Sequence, residues 1–105
     1  HYRELAYGRW DLVSVDGTAP GDAEQLYFTT STSVTLTRDG QSYQGQYQFY
    51  CNMLTTYFEQ YQGLFQEWRV EKMEDSLMRA VVEFCEIDGD TLCTGTVLEY
   101  RKLPQ

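Results

Sequence analysis

Gln41-Ser42-Tyr43-Gln44-Gly45-Gln46-Tyr47-Gln48-Phe49 is the stretch that decides the fold. In an extended chain Tyr43, Gly45, Tyr47 and Phe49 share one face, while Gln44, Gln46 and Gln48 share the other. Aromatic on one side and uncharged polar on the other describes a strand with its inner face on a core and its outer face in water. Gly45 in the middle would weaken a flat sheet. It marks a bend or a close approach by another side chain, as small barrels require.

The same period of two continues in both directions. Upstream, Asp39-Gly40 is a strong turn signal, preceded by Ser33 to Arg38 with Val34 and Leu36 together. Leu26 to Thr30 forms a short strand with Leu26 and Phe28 on one side. Thr18 to Glu24, with Pro20 and Gly21, reads as a loop over one barrel mouth. The first strand runs from Gly8 to Val15, with Trp10 and Leu12 inward, and ends at Asp16-Gly17.

Downstream, Asn52 to Gln60 returns with Leu54, Thr56 and Phe58 aligned. Gln62-Gly63 turns the chain into Leu64 to Val70, which places Leu64 and Trp68 inside. Glu71 to Ser76 is the most polar connection, with room for one helical turn. A final hairpin pairs Leu77 to Ile87 with Thr91 to Leu103. One register puts Met78, Ala80, Val82 and Phe84 on the same side as Leu92, Leu98 and Tyr100. No window of about 11 or more residues carries a helical stripe stronger than its period-two content. The expected fold is all-β: an antiparallel up-and-down meander closing into a small eight-stranded barrel, with residues 1–105 as one domain.

Sixteen acids against eight bases give a net charge of −8. That surface repels phosphate backbones and anionic headgroups, so nucleic acid and electrostatic membrane binding are excluded as functions. No apolar run reaches the roughly 20 residues that span a bilayer. The chain opens on His1 rather than Met and is expected to be a trimmed product, with any signal peptide or lipid-anchor cysteine upstream.

Cys51, Cys85 and Cys93 lack metal-ligand spacing. If Asp88-Gly89-Asp90 is a three-residue hairpin loop, opposed residue numbers total 178, which sets Cys85 against Cys93. A cross-strand disulfide between outward-facing thiols is therefore expected, implying an oxidising compartment. Cys51 would remain as a small buried hydrophobe.

Covalent catalysis finds no support. The one histidine is His1, at a terminus, and the acids gather in turns rather than across a cleft. Asp88-Gly89-Asp90 is too short for a calcium loop, so no metal or cofactor is expected. The functional candidate is the barrel interior, with Leu36, Tyr43, Tyr47, Phe49, Phe58, Trp68, Phe84 and Tyr100 as its lining. Eight strands enclose a space just wide enough for side chains or one small ligand. Two readings are therefore open: an apolar pocket with tyrosine hydroxyls orienting a ligand, or rings that simply fill the barrel.

Gly8-x-Trp10, continuing as Trp10-Asp-Leu12-Val-Ser-Val-Asp16-Gly17, resembles the opening strand of the lipocalin (calycin) superfamily. It looks most like the small lipocalin-like domains of Bacteroidetes secreted lipoproteins. Tyr43-Gln-Gly45-Gln-Tyr47, Trp68-Arg-Val70 and Tyr100-Arg-Lys-Leu103 follow in the order of that group. The resemblance implies that Gly8, Trp10 and Arg101 close the barrel's bottom, with a cation over the indole face. It also implies an extracytoplasmic protein that sequesters a small hydrophobic or amphiphilic ligand; separately, a monomer is expected, or a weak dimer if incomplete closure leaves a strand edge exposed. The chain is shorter than transport lipocalins and lacks their helix before the final strand. Cys51-Asn52 after a Gly-x-Tyr strand is similar to bacterial META-type domains, with Tyr50 where they carry glycine. That second resemblance implies a filled-core envelope or protein-interaction module without a small-molecule ligand.

Overall fold

Alternating sequence becomes alternating burial along nearly every strand of the computed structural model, which describes residues 2–91 and 94–104. One short helix, α1 (Tyr2–Ala6), precedes β1 (Gly8–Val15), β2 (Glu24–Phe28), β3 (Ser33–Arg38), β4 (Gln41–Tyr50) and β5 (Met53–Phe58). β6 (Leu64–Met73), β7 (Leu77–Ile87), the two-residue β8 (Asp90–Thr91) and β9 (Val97–Lys102) follow. Each strand pairs antiparallel with the next from β1 to β7. β7 pairs with β9, and β9 returns to β1. The result is a closed eight-stranded, lipocalin-like barrel, with β8 as an extra strand on the tip of β7.

The seam joins Trp10 to Lys102, Asp11 to Arg101 and Leu12 to Tyr100. Inward and outward positions alternate, so Tyr100 and Lys102 share the inner face with Trp10 and Leu12, and Arg101 is exposed. The cation over the indole is accordingly Lys102, whose Nζ lies 5.2 Å from the Trp10 ring centroid. The closing role expected of Arg101 passes to its neighbour. Trp10 itself is wholly buried, and Gly8 adopts a φ of 115 that disfavours a side chain.

α1 seals this end. Its final carbonyls have no partner within so short a helix, and the seam supplies them. The Trp10 indole Nε1–H donates to the Ala6 carbonyl at 2.8 Å, and the Lys102 ammonium donates to that of Leu5 at 3.0 Å. Five residues are too few to print a helical stripe, which is why periodicity alone does not reveal it.

Three turns at the opposite end follow their sequence signals. Asp16-Gly17, Asp39-Gly40 and Asp88-Gly89 all carry positive φ at both residues, the mirror-image turn geometry that suits twisted hairpins. The last of these revises the final hairpin. Partners in β7 and β9 total 178, as expected, but Glu86 meets Thr91 and Ile87 meets Asp90, totals of 177. The loop therefore has two residues, and the register behind a Cys85–Cys93 pair does not extend to the tip. Cys93 lies outside the described residues, as does Leu92.

A bulge completes the correction. β6 pairs Glu67 with Phe84 and Trp68 with Val82, leaving Glu83 as the extra residue. One inserted residue reverses the facing of everything beyond it. Phe84, expected inside, turns outward against Phe65, with ring centroids 5.9 Å apart. Cys85, expected outside, turns inward and is buried. Cys51, expected in the core, is exposed in the β4–β5 turn with a φ of 54. The polar segment after Val70 stays extended as far as Met73 instead of forming a helical turn.

Gly45 shows why β4 needs a glycine. A Cβ there would lie 2.4 Å from Phe58 Cδ1 and 2.4 Å from the Tyr57 carbonyl oxygen, so the Phe58 ring occupies the space a side chain would need. Replacing Gly45 by Ala should lower the urea midpoint by the equivalent of about 1–3 kcal/mol, because backbone must yield. Gly21→Ala, with open space around the new Cβ, should change it by less than about 0.5 kcal/mol. Equal midpoints for the two variants would refute this account.

Candidate functional site at the open end of the barrel

Aromatic rings fill the lower barrel. Phe28 meets Tyr47 edge-on at 4.8 Å, and Trp10, Leu36, Leu54, Phe58 and Met78 are buried around them. Toward the other end a cavity of about 400 Å³ opens between the turns. Leu12, Val15, Leu64, Trp68, Val82, Cys85, Ile87 and Leu98 give it apolar walls. Pro20, Gly21 and Asp22 of the β1–β2 loop border it, as that loop was expected to. Its polar lining comes from Glu24, Arg38, Gln66 and Thr96.

Glu24 opens β2 on the same side as Leu26 and Phe28, so the strand's pattern carries a carboxylate into the barrel. β3 does the same with Arg38 after Val34 and Leu36, and the register sets Glu24 directly across from Arg38. A buried charge persists only when paired and hydrogen-bonded. Arg38 donates to Glu24 Oε1 through Nη2 and through Nε at 3.2 Å, and to the Tyr61 hydroxyl through Nη1 at 2.9 Å. The Tyr100 hydroxyl donates to Glu24 Oε2. Burial works against the Arg38 charge, but Glu24 and the bonds to Glu24 and Tyr61 outweigh it and raise its pKa. Tyr100 is held protonated well into the alkaline range, first by burial and then by the adjacent Glu24 charge and hydrogen bond, with Arg38 opposing.

Below this cluster the Trp68 ring stacks on Tyr100 at 5.6 Å, forming the cavity floor. Trp68 is 2% exposed, yet its indole Nε1–H has no hydrogen-bond partner. Such a group costs roughly 1–3 kcal/mol when buried without an acceptor. Gln66 donates its amide to the Cys85 sulfur at 3.4 Å.

Of the eight residues expected to line a pocket, Trp68 borders this cavity, and Tyr100 reaches its edge through Glu24. Leu36, Tyr47 and Phe58 are packed core, and the Tyr47 hydroxyl donates to the Thr30 carbonyl. Tyr43 lies against Tyr61 at 4.6 Å, Phe49 stacks on Tyr2 of α1, and Phe84 is outside. Glu24 and Arg38 are the residues that sequence reading missed. Their signal was present: each continues the apolar alternation of its strand by one more step of two.

Among the described residues, no group of three or more His, Cys, Asp or Glu side chains is placed to hold a metal ion, and no helix is long and apolar enough to cross a membrane. Comparison with protein-family models, with curated proteins and with solved structures found no match.

The Tyr100 shift fixes a pH dependence. Because its folded pKa lies above the ordinary value of 10.0, its contribution to stability is complete below that pH. The contribution is lost as pH rises further, since the unfolded chain releases the proton first. Urea midpoints measured from about pH 8 to 11 should fall more steeply above 10 for the native chain than for Tyr100→Phe. Parallel curves would contradict the assignment.

Proposed function

We propose that this protein is a non-enzymatic, extracytoplasmic lipocalin-like carrier that holds one small hydrophobic or amphiphilic molecule in the mouth of its barrel. The observation that carries this reading is the cavity of about 400 Å³ with its apolar walls, within the usual range for small-molecule sites. The loop of Pro20, Gly21 and Asp22 gives a ligand a way in that leaves the closed strands undisturbed. Nothing in the site requires bond chemistry. Its only charged pair, Glu24 with Arg38, neutralises itself and braces the wall. The resemblance of Gly8-x-Trp10 to the lipocalin opening supports the same assignment and a place outside the cytoplasm.

The solid lower barrel favours a second reading, a filled interaction module whose surface or loops meet a protein partner. Binding separates the two. The neutral dye N-phenylnaphthylamine should brighten on mixing with the folded protein. At a hundred times its Kd, the dye should add about 2.7 kcal/mol to stability, seen as a higher Tm. Ile87→Arg, which sets a guanidinium at the cavity rim, should remove both effects while the protein stays folded. No brightening and no shift in Tm would transfer the function to the interaction reading.

A further inference from the structure

β4 pairs with β3 from Gln41 to Gln46 but with β5 only from Gln46 to Tyr50, so the β4–β5 ladder ends at Gln46. A groove of about 350 Å³ lies there on the outside of the barrel, lined by Ser33, Gln44, Gln46, Tyr57, Glu59 and Gln60. It shares no residue with the cavity at the mouth, so its occupant is independent of the carrier reading. One rung of the sheet, Ser33 to Gln46 to Tyr57, sets a hydroxyl, an amide and an aromatic ring side by side. On the next rung the Thr35 hydroxyl donates to Gln44 Oε1 at 3.1 Å, which orients that amide and leaves its NH2 group available. Among the described residues, the Gln46 and Gln60 amides and the Tyr57 hydroxyl have no hydrogen-bond partner. Tyr57 is 39% exposed, an unusual outlay for so large a ring.

The wall around the groove is neutral. Every outward residue of β2 to β5 is Gln, Ser, Thr or Tyr, apart from Met53. The other half of the barrel differs, with Glu67 and Arg69 on β6, Arg79 and Glu83 on β7, and Glu99 and Arg101 on β9. In a chain that is 23% charged, four adjacent strands without an outward charge form a distinct surface.

We infer that this groove binds a run of an uncharged polysaccharide. Sugar hydroxyls both donate and accept, and an amide side chain offers both in return. The Glu59 carboxylate accepts from two neighbouring hydroxyls, and the C–H face of a sugar ring packs on the electron-rich face of Tyr57. A polyanion finds no cation on this wall and meets Glu59 at its end. A protein partner is less well matched. Interface centres concentrate aromatic residues, Met and Arg, while Ser and Thr are scarce among the residues that carry binding energy. This wall is mostly amides and hydroxyls.

Cello-, malto-, manno- and xylohexaose, with hexagalacturonate as the anionic counterpart, test this by titration in nitrogen-edited proton NMR. At least one neutral hexasaccharide should move the side-chain amide signals of Gln44, Gln46 and Gln60. The indole signals of Trp10 and Trp68, both buried inside the barrel, should stay in place. The Kd should be the same at low and high ionic strength, since no charge is being screened. Tyr57→Ala should weaken binding roughly tenfold and Gln46→Ala about fivefold, whereas Gln25→Ala, on the same wall outside the groove, should leave it unchanged. Both groove side chains are exposed, so their variants should keep the native Tm. Brightening of N-phenylnaphthylamine should not respond to any of the sugars, which keeps the outcome separate from that of the mouth. Failure of all four neutral hexasaccharides to move the amides would overturn the proposal, as would hexagalacturonate binding as tightly as they do. Binding that survives both Tyr57→Ala and Gln46→Ala unchanged would overturn it too. An extended peptide that moves the same amides when no sugar does would make the groove a strand-pairing edge instead.

Discussion

Pairing of β1 with β9 is the constraint on which the rest of the molecule depends. It converts an eight-strand ribbon into a cylinder and removes the open edges that would otherwise expose unpaired backbone. The seam also fixes facing. Setting Trp10 opposite Lys102 and Leu12 opposite Tyr100 turns all four inward, and α1 is then held by the indole and the ammonium through its last two carbonyls. The same alternation that buries Tyr100 brings its hydroxyl to Glu24, so closure at one end and the polar wall at the other share one strand.

That wall is expensive chemistry for a small barrel, since the Glu24 carboxylate has left bulk water and the Arg38 guanidinium has partly left it. The geometry meets the cost by sharing: Glu24 accepts from two residues, and Arg38 donates to two. Tyr100 also supports Trp68 from beneath, so packing and hydrogen bonding meet at one ring. The interior is packed with side chains below and opens into the cavity above. On the outer face, ion pairs such as Arg79 with Glu99 and Arg69 with Glu83 are exposed and contribute little to stability.

Much of this architecture is legible in the chain because facing alternates wherever strands run unbroken. Gln41 to Phe49, Ser33 to Arg38 and Leu77 to Val82 behave as their patterns predict, and the Asp-Gly pairs turn where they should. Legibility fails where one residue is gained or lost. The Glu83 bulge does not announce itself in composition, yet it reverses Phe84 and Cys85. The choice of Arg101 over Lys102 has a different origin: it followed the family resemblance, whereas the inward Tyr100 already puts Lys102 on the inner face. The site was partly hidden by a boundary. A strand read as starting at Leu26 leaves Glu24 in a loop, whereas β2 begins at Glu24 and carries it inward.

A cylinder whose first strand is zipped to its last has a consequence for synthesis. Local hairpins from β2 to β7 can form as the chain emerges, but Trp10 has no lasting home until residues 98–102 arrive. Contacts separated by some ninety positions make the final step slow and non-local. A nascent chain would therefore hold its indole, its opening strand and its unpaired edges in solvent until residues 98–102 have emerged.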